Sequence, residues 1–233
     1  MSQFDRSELV SLAKSCYESD LYEDVVRYMS QVIKMGTLED AEERHIWFYS
    51  NDQLVLPFVN SIIDDSDIND EIQKEANMKA KSETNRICDE AIELLDSYLF
   101  VRRTNSTARF EYRRFKAFLL KYKSVAAKGE KRNSEANDSW KLFLTAYQMA
   151  GKVLSFSHPD TVTIALDFAD FQFFGEFVPL HKLVSNTMRA YENGIRHLKV
   201  LEFNTRAFAE CLLRELKTKI EEFQPFEGLN VEV

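Results

Sequence analysis

The stretch YEDVVRYMSQVI, Tyr22 to Ile33, sets the period on which the rest of the chain is read. Val25, Val26, Met29, Val32 and Ile33 recur at steps of three and four, which places them on one helical face and is incompatible with strand alternation. Upstream, Leu9, Leu12, Ala13 and Cys16 repeat the same stripe; downstream, Gly36 ends the second helix. Asp5 with Glu8, Asp20 with Glu23, and Asp40 with Glu43 have the spacing of capping boxes, with Asp in place of Ser or Thr, so three helices are expected to start there. The third, from Glu42 to about Asp64, is strongly apolar but contains Pro57, which should kink or break it at a cost of about 3 kcal/mol. The acidic stretch DDSDIND, Asp64 to Asp70, reads as a loop and helix entry.

Beyond it, Ile87, Ala91, Leu94, Leu95, Tyr98 and Leu99 trace the apolar face of a fourth helix from about Glu71 to Phe100. A fifth is expected from Ser106 to about Ala127. The polar segment KGEKRNSE, Lys128 to Glu135, reads as the clearest loop in the chain. A sixth helix follows over Trp140 to Leu154; His158-Pro159 opens a seventh, Val178-Pro179 an eighth, and Asn204 a ninth that ends near Phe223. Six glycines and four prolines among 233 residues are about a third of the ordinary share of roughly 12%. That shortage suits long helices with short connections. The expectation is an all-α chain of about nine antiparallel helices stacked as hairpins in a short solenoid, one domain over residues 1–223 and a tail over 224–233. A tetratricopeptide array is the nearest generic alternative, but Ala146-Tyr147 and Ala190-Tyr191 do not recur at its period of about 34 residues.

The formal charge of -8 argues against nucleic acid or an anionic membrane surface as a direct partner, since both are bound through excess Lys and Arg. Cys16, Cys88 and Cys211 each lie within an apolar helical pattern without metal-ligand spacing, and read as buried free thiols of a reducing compartment. The N-terminus lacks the apolar core of a signal peptide, and no run of apolar residues is long enough to span a bilayer. A cytoplasmic or nuclear location is the default. No phosphate loop, HExxH, nucleophile elbow or convergent Glu-x-x-His pair is present, and His45, His158, His181 and His197 share no spacing, so neither enzyme nor cofactor is expected.

Along this order of helices lie ELV (Glu8 to Val10), YEDVV (Tyr22 to Val26), EER (Glu42 to Arg44), RICDE (Arg86 to Glu90), Lys121-Tyr122, and HPDTVTIALDF (His158 to Phe168). In these residues the chain resembles the 14-3-3 family; HPDTVTIALDFADF is similar to that family's HPIRLGLALNFSVF. The resemblance covers about Glu8 to Phe223. It implies a dimer made through the N-terminal helices and an amphipathic groove that binds phosphoserine or phosphothreonine peptides. In the family, a Lys and an Arg of the third helix and an Arg-Tyr pair of the fifth hold the phosphate, and asparagines of the seventh and ninth hold the peptide backbone.

Much of that chemistry is altered here. From His45 through Gln73 there is no Lys or Arg. Ser50 or Asp52 falls near the family's Lys, and Val59 or an apolar neighbour near its Arg, so two of three phosphate cations are missing. Lys121 and Tyr122 stand where the family has Arg and Tyr, and Lys cannot make the two-pronged contact of Arg. Arg114, two turns earlier, is a candidate second cation. Arg113, Arg114, Lys116 and Lys121 read either as a solvated basic stripe or as a weakened anion site using Arg114, Lys121 and Tyr122. On the seventh helix Leu166 matches a groove leucine, while Asp167 replaces the peptide-clamping Asn and Asp170 adds negative charge. On the ninth, Leu216 falls at the second Asn position, and Phe208, Leu212 and Ile220 either line the groove or belong to the core.

For the dimer, Asp24 and Lys79 match an intersubunit pair, and Glu8 and Glu83 also match, but Leu21 replaces the basic partner of Glu83. An apolar contact through Leu9, Leu12, Val25 and Tyr28 is the compensating expectation, although core burial explains the same residues. The implied role is a non-catalytic adaptor for phosphorylated or unphosphorylated client proteins, as a homodimer or a heterodimer with another 14-3-3 protein. The alternative is a scaffold that has lost phosphopeptide binding and acts through dimerisation. In the tail QPFEGLNVEV, Phe226, Leu229, Val231 and Val233 with Glu227 and Glu232 suggest either an internal competitor for the groove or a frayed terminus.

Overall fold

Asp5 opens the first helix as its spacing predicts. Its side chain accepts the Glu8 N–H at 2.9 Å while the Glu8 carboxylate accepts the Asp5 N–H at 2.8 Å. The computed structural model describes residues 4–38, 40–63, 67–68, 70–170 and 180–223. Among these are nine α-helices and no strand: α1 Arg6–Glu18, α2 Tyr22–Met35, α3 Ala41–Ser61, α4 Glu71–Leu94, α5 Ser106–Ala126, α6 Gly129–Val153, α7 Pro159–Ala169, α8 Leu180–His197 and α9 Phe203–Phe223. None of them is long and apolar enough to cross a membrane.

Several sequence expectations need correction. Asp20 and Glu23 form no capping box; α2 starts after Leu21 without a side-chain cap. The α1–α2 connection is so tight that Asp20 takes φ 57, a conformation Asp tolerates better than most residues, and its carboxylate accepts the Tyr22 hydroxyl at 2.6 Å. Asp40 caps α3 through the Glu42 N–H, whereas Glu43 turns away to hold Arg6 at 2.6 Å. Pro57 does not end α3, because it sits one turn from the helix end at an exposed position and removes a single backbone donor.

The fourth helix does not run regularly to Phe100. It passes into a π-helical turn over Leu95–Leu99, closed by the Phe100 N–H to the Leu95 carbonyl at 2.8 Å. Most of Lys128 to Glu135 is helix, not loop. Only Ala127 and Lys128 separate α5 from α6, Gly129 supplies the left-handed residue at φ 55, and Glu130, Lys131 and Arg132 are good helix formers. The opening of α8 at Pro179 and the tail Gln224 to Val233 lie outside the described residues. Of the three free cysteines only Cys88 is fully buried; Cys16 is half-buried and Cys211 is exposed on α9.

The chain forms two compact units, Met1–Glu135 and Ala136–Val233. In the first, α1 packs on α2, α2 on α3, and α3, α4 and α5 on one another. Its core holds Leu9, Val25, Met29, Ile33, Trp47 and Leu95. The turn before α3 is fixed from inside: Tyr112 donates its hydroxyl to the Leu38 carbonyl at 3.0 Å and accepts the Leu38 N–H at 3.2 Å. Arg44, 2% exposed, donates to the same carbonyl at 3.0 Å and pairs with Glu111. In the second unit α7, α8 and α9 pack mutually, with Phe168, Leu183, Leu213 and Leu216 buried. His158 caps α7 ahead of Pro159, and Gly194 lets α8 approach Leu213 of α9: an added Cβ would lie 2.5 Å from Leu213 Cδ2.

Candidate functional site

On α5 the residues Arg114, Phe118 and Tyr122 follow one another at steps of four, one turn apart on the same stripe. The Arg114 guanidinium lies over the Phe118 ring at 5.6 Å, and the Phe118 and Tyr122 rings stand 6.3 Å apart. Tyr122 then reaches across to α3 and donates its hydroxyl to the Asp52 carboxylate. Asp52 is half-buried, and burial pushes its carboxyl above the ordinary carboxylate range against the opposing pull of the Tyr122 hydrogen bond. Ser50, the other residue considered for this place, is wholly buried and faces inward. Val59 is half-buried against the core. Of the two residues considered for the family's Lys position, Asp52 is thus the one set against Tyr122, as a carboxylate accepting its hydroxyl.

The basic stripe of α5 divides. Lys116 pairs with Asp96 at 2.7 Å, and Lys123 with Asp89 at 2.5 Å and Glu135 at 3.4 Å. Arg113 lies over the Phe100 ring at 5.4 Å. Arg114 and Lys121 are half-buried, and Ala117 between them is fully buried. Arg114, Phe118 and Tyr122 form a continuous contact along this face. The four-residue spacing was the available signal for it.

In the second unit, Leu166 on α7 is 8% exposed and Asp167 is half-buried. Asp170, expected to add repulsion, is paired with Lys219 of α9 at 3.2 Å, so part of its charge is compensated. On α9 exposure falls along the chain: Phe208 is 58% exposed, Leu212 is half-buried and Leu216 is completely buried. Leu216 therefore belongs to the core and not to a peptide-binding wall. Phe208 and Leu212 remain as apolar surface.

The dimer candidates separate in the same way. Leu9 and Val25 are fully buried in their own unit and have no surface to offer a partner. Glu8 is engaged in the α1 capping box, Asp24 pairs with Arg27 at 2.8 Å, and Glu83 with Arg86 at 2.9 Å. Lys79 is exposed, Leu21 is 50% exposed, and Leu12 and Tyr28 are half-buried, with Arg27 over the Tyr28 ring at 4.9 Å.

Sequence comparison meets this picture directly. The family described as 14-3-3 protein matches residues 12–221. The 14-3-3 proteins beta/alpha of Mus musculus and Homo sapiens are each 27% identical over 225 residues, covering 93% of this chain and 91% of theirs. The 14-3-3 protein zeta of Bombyx mori is 25% identical over the same coverage. With a family match over most of its length and an all-helical fold in the expected order, the chain belongs to the 14-3-3 family, whose members are non-catalytic adaptors.

Proposed function

We propose that this protein is a dimeric adaptor whose recognition of phosphoserine and phosphothreonine is weakened or altered, so that clients are bound with little dependence on phosphorylation. The observation that carries this reading is the hydrogen bond from Tyr122 to Asp52. A phosphoryl group brings nearly two negative charges and must exchange its hydration for several charge-assisted bonds. Here it would meet a carboxylate, a phenol already donating to that carboxylate, and a third helix whose one cation, Arg44, is held by Glu111 and the Leu38 carbonyl, with no Lys or Arg from His45 onward. Arg114 and Lys121 supply positive charge nearby, and Asp52 suits a neutral or cationic client side chain. Phe208 and Leu212 offer apolar contact, and the tail over 224–233 remains a candidate competitor. Dimerisation, with itself or with another family member, works through the exposed or half-exposed Leu12, Leu21, Tyr28 and Lys79 in a cytoplasmic or nuclear setting.

Calorimetric titration of one client peptide in phosphorylated and unphosphorylated form tests the reading. Comparable affinities support it. A phosphorylated form bound at nanomolar affinity and at least about a hundredfold more tightly, a difference of about 2.7 kcal/mol, overturns it.

A further inference from the structure

Where α1, α2 and α3 of the first unit meet, three rings converge on Tyr49. Tyr17, at the end of α1, and Tyr22, at the start of α2, stand edge-to-face with it at centroid distances of 5.7 and 5.9 Å. His45, one turn earlier on α3, lies at 5.9 Å with its plane tilted by 30°. The hydroxyls of the flanking tyrosines are engaged within the cluster: Tyr22 donates to the Asp20 carboxylate at 2.6 Å, and the Tyr17 oxygen stands 3.2 Å from His45 Nε2. Contacts of this kind fix the rings beyond what area alone would do, yet Tyr49 is 39% exposed and His45 is exposed as well. An ordered aromatic cluster that stays open to solvent is a surface for contact and not part of the core.

Its chemistry has one sign. The segment YESDLYED, Tyr17 to Asp24, carries four carboxylates and no Lys or Arg, and α3 carries neither from His45 onward. Lys14, one turn before Tyr17 on α1, is paired with Glu42. Tyrosine ring faces are the negative side of the ring quadrupole, so the rings and the Asp20 carboxylate together attract a cation. We infer that this cluster is a docking site for an arginine side chain of a partner protein, its guanidinium stacked on Tyr49 and Tyr22 and its N–H groups turned to Asp20. A carboxylate that takes one phenolic proton keeps further lone pairs for such a fork. The planar, weakly hydrated guanidinium suits a ring face better than the compact ammonium of Lys. Tyr49 and Asp52 are three positions apart on α3, so the acceptor surface continues along that helix toward the Asp52–Tyr122 pair. The docking site itself uses none of the residues assigned to phosphate recognition, so either reading can fail without the other.

The test uses the full chain and a fluorescein-labelled octapeptide alternating Arg and Ser, without phosphate, read by fluorescence anisotropy. The matching Lys and citrulline peptides are the controls, citrulline keeping the shape of arginine without its charge. Saturable binding of the Arg peptide is expected, several-fold weaker for Lys and absent for citrulline. Tyr49→Leu changes no charge and should weaken the Arg peptide about three- to fivefold, the worth of a cation–π contact at an exposed site. Tyr49→Phe, which keeps the ring face, should leave binding within about twofold. Asp20→Asn should weaken it about fivefold by removing one charge at contact distance, and Asn tolerates the φ of 57 at that position. Glu210→Gln, an exposed acid of α9, should leave it within about twofold. Circular dichroism reports whether each variant keeps its helices; should Tyr49→Leu lose them, Asp20→Asn decides alone. Equal binding of the Lys or citrulline peptide, or equal weakening by Glu210→Gln, overturns the inference. So does unchanged binding in a folded Tyr49→Leu or in Asp20→Asn.

Discussion

Replacing Asp52 offers the most direct interrogation of the altered site. Taking a separation of about 5 Å between this carboxylate and a phosphoryl group bound beside Tyr122, two unit charges in water interact by about 0.8 kcal/mol. With close to two charges on the phosphate, removing the Asp52 charge is worth about 1.5 kcal/mol and reversing it about 3 kcal/mol. Asp52→Asn should therefore raise phosphopeptide affinity about tenfold and Asp52→Lys about a hundredfold or more, the water value being the lower bound for a half-buried site. Asn still accepts the Tyr122 hydroxyl, so its gain reports charge alone; Lys also releases that hydroxyl toward the ligand. The assay is calorimetry on phosphorylated and unphosphorylated versions of one peptide, since only the first should respond. The pH dependence has a definite sign. Burial raises the Asp52 carboxyl above the ordinary carboxylate value, so the wild-type side chain takes up a proton as pH falls through that raised value, and the advantage of Asn should shrink there. Unchanged phosphopeptide affinity in Asp52→Lys, or an equal gain for the unphosphorylated peptide, refutes the placement of the phosphate near Asp52.

The same raised carboxyl affects folding: between the ordinary value and the folded value the native state holds the extra proton, so stability falls as pH rises through that window, and urea midpoints of Asp52→Asn should lack this fall. Arg44→Met removes a 3% exposed guanidinium from Glu111 and the Leu38 carbonyl and should destabilise the first unit by about 3 kcal/mol in urea denaturation, the low end of the usual range because Glu111 is partly solvated. Gly194→Ala should destabilise by about 1 kcal/mol, an overpacking loss of about 2 against a helix-propensity gain of about 1. In a Leu213→Ala background the same change should become stabilising, and additivity across that double-mutant cycle would show that the close approach is relieved elsewhere. Light scattering should give a dimer at micromolar concentration, and Leu21→Arg, restoring a basic residue opposite Glu83 in the family pattern, should tighten it by a few fold; a monomer for both proteins rejects the dimer.

The residues that made the family legible are those that hold the fold, and this is why the function was harder to read. In EER, Glu43 clamps Arg6 and Arg44 secures the turn before α3. In RICDE, Arg86 bridges Glu83 and Glu90, Ile87 and Cys88 are buried, and Asp89 holds Lys123; the Cys88 thiol is pushed up to about 12 by burial, as befits a packing residue. His158 and Pro159 start α7. Such residues satisfy donors, caps and volumes that any chain with these helices must satisfy, so they recur with the fold whatever the ligand. Periodicity located them well because a buried stripe repeats. It failed at Gly129, where one left-handed residue lets a polar stretch enter a helix at once, at Asp20, where a tight left-handed turn takes the place of a capping box, and at Leu9, Val25 and Leu216, since an amphipathic pattern marks a face as apolar without saying which neighbour covers it. The ligand-facing positions obey no such repeat. Asp52 became intelligible only when α3 and α5 set its carboxylate against Tyr122, seventy positions away in sequence, and turned a missing cation into an occupied phenol.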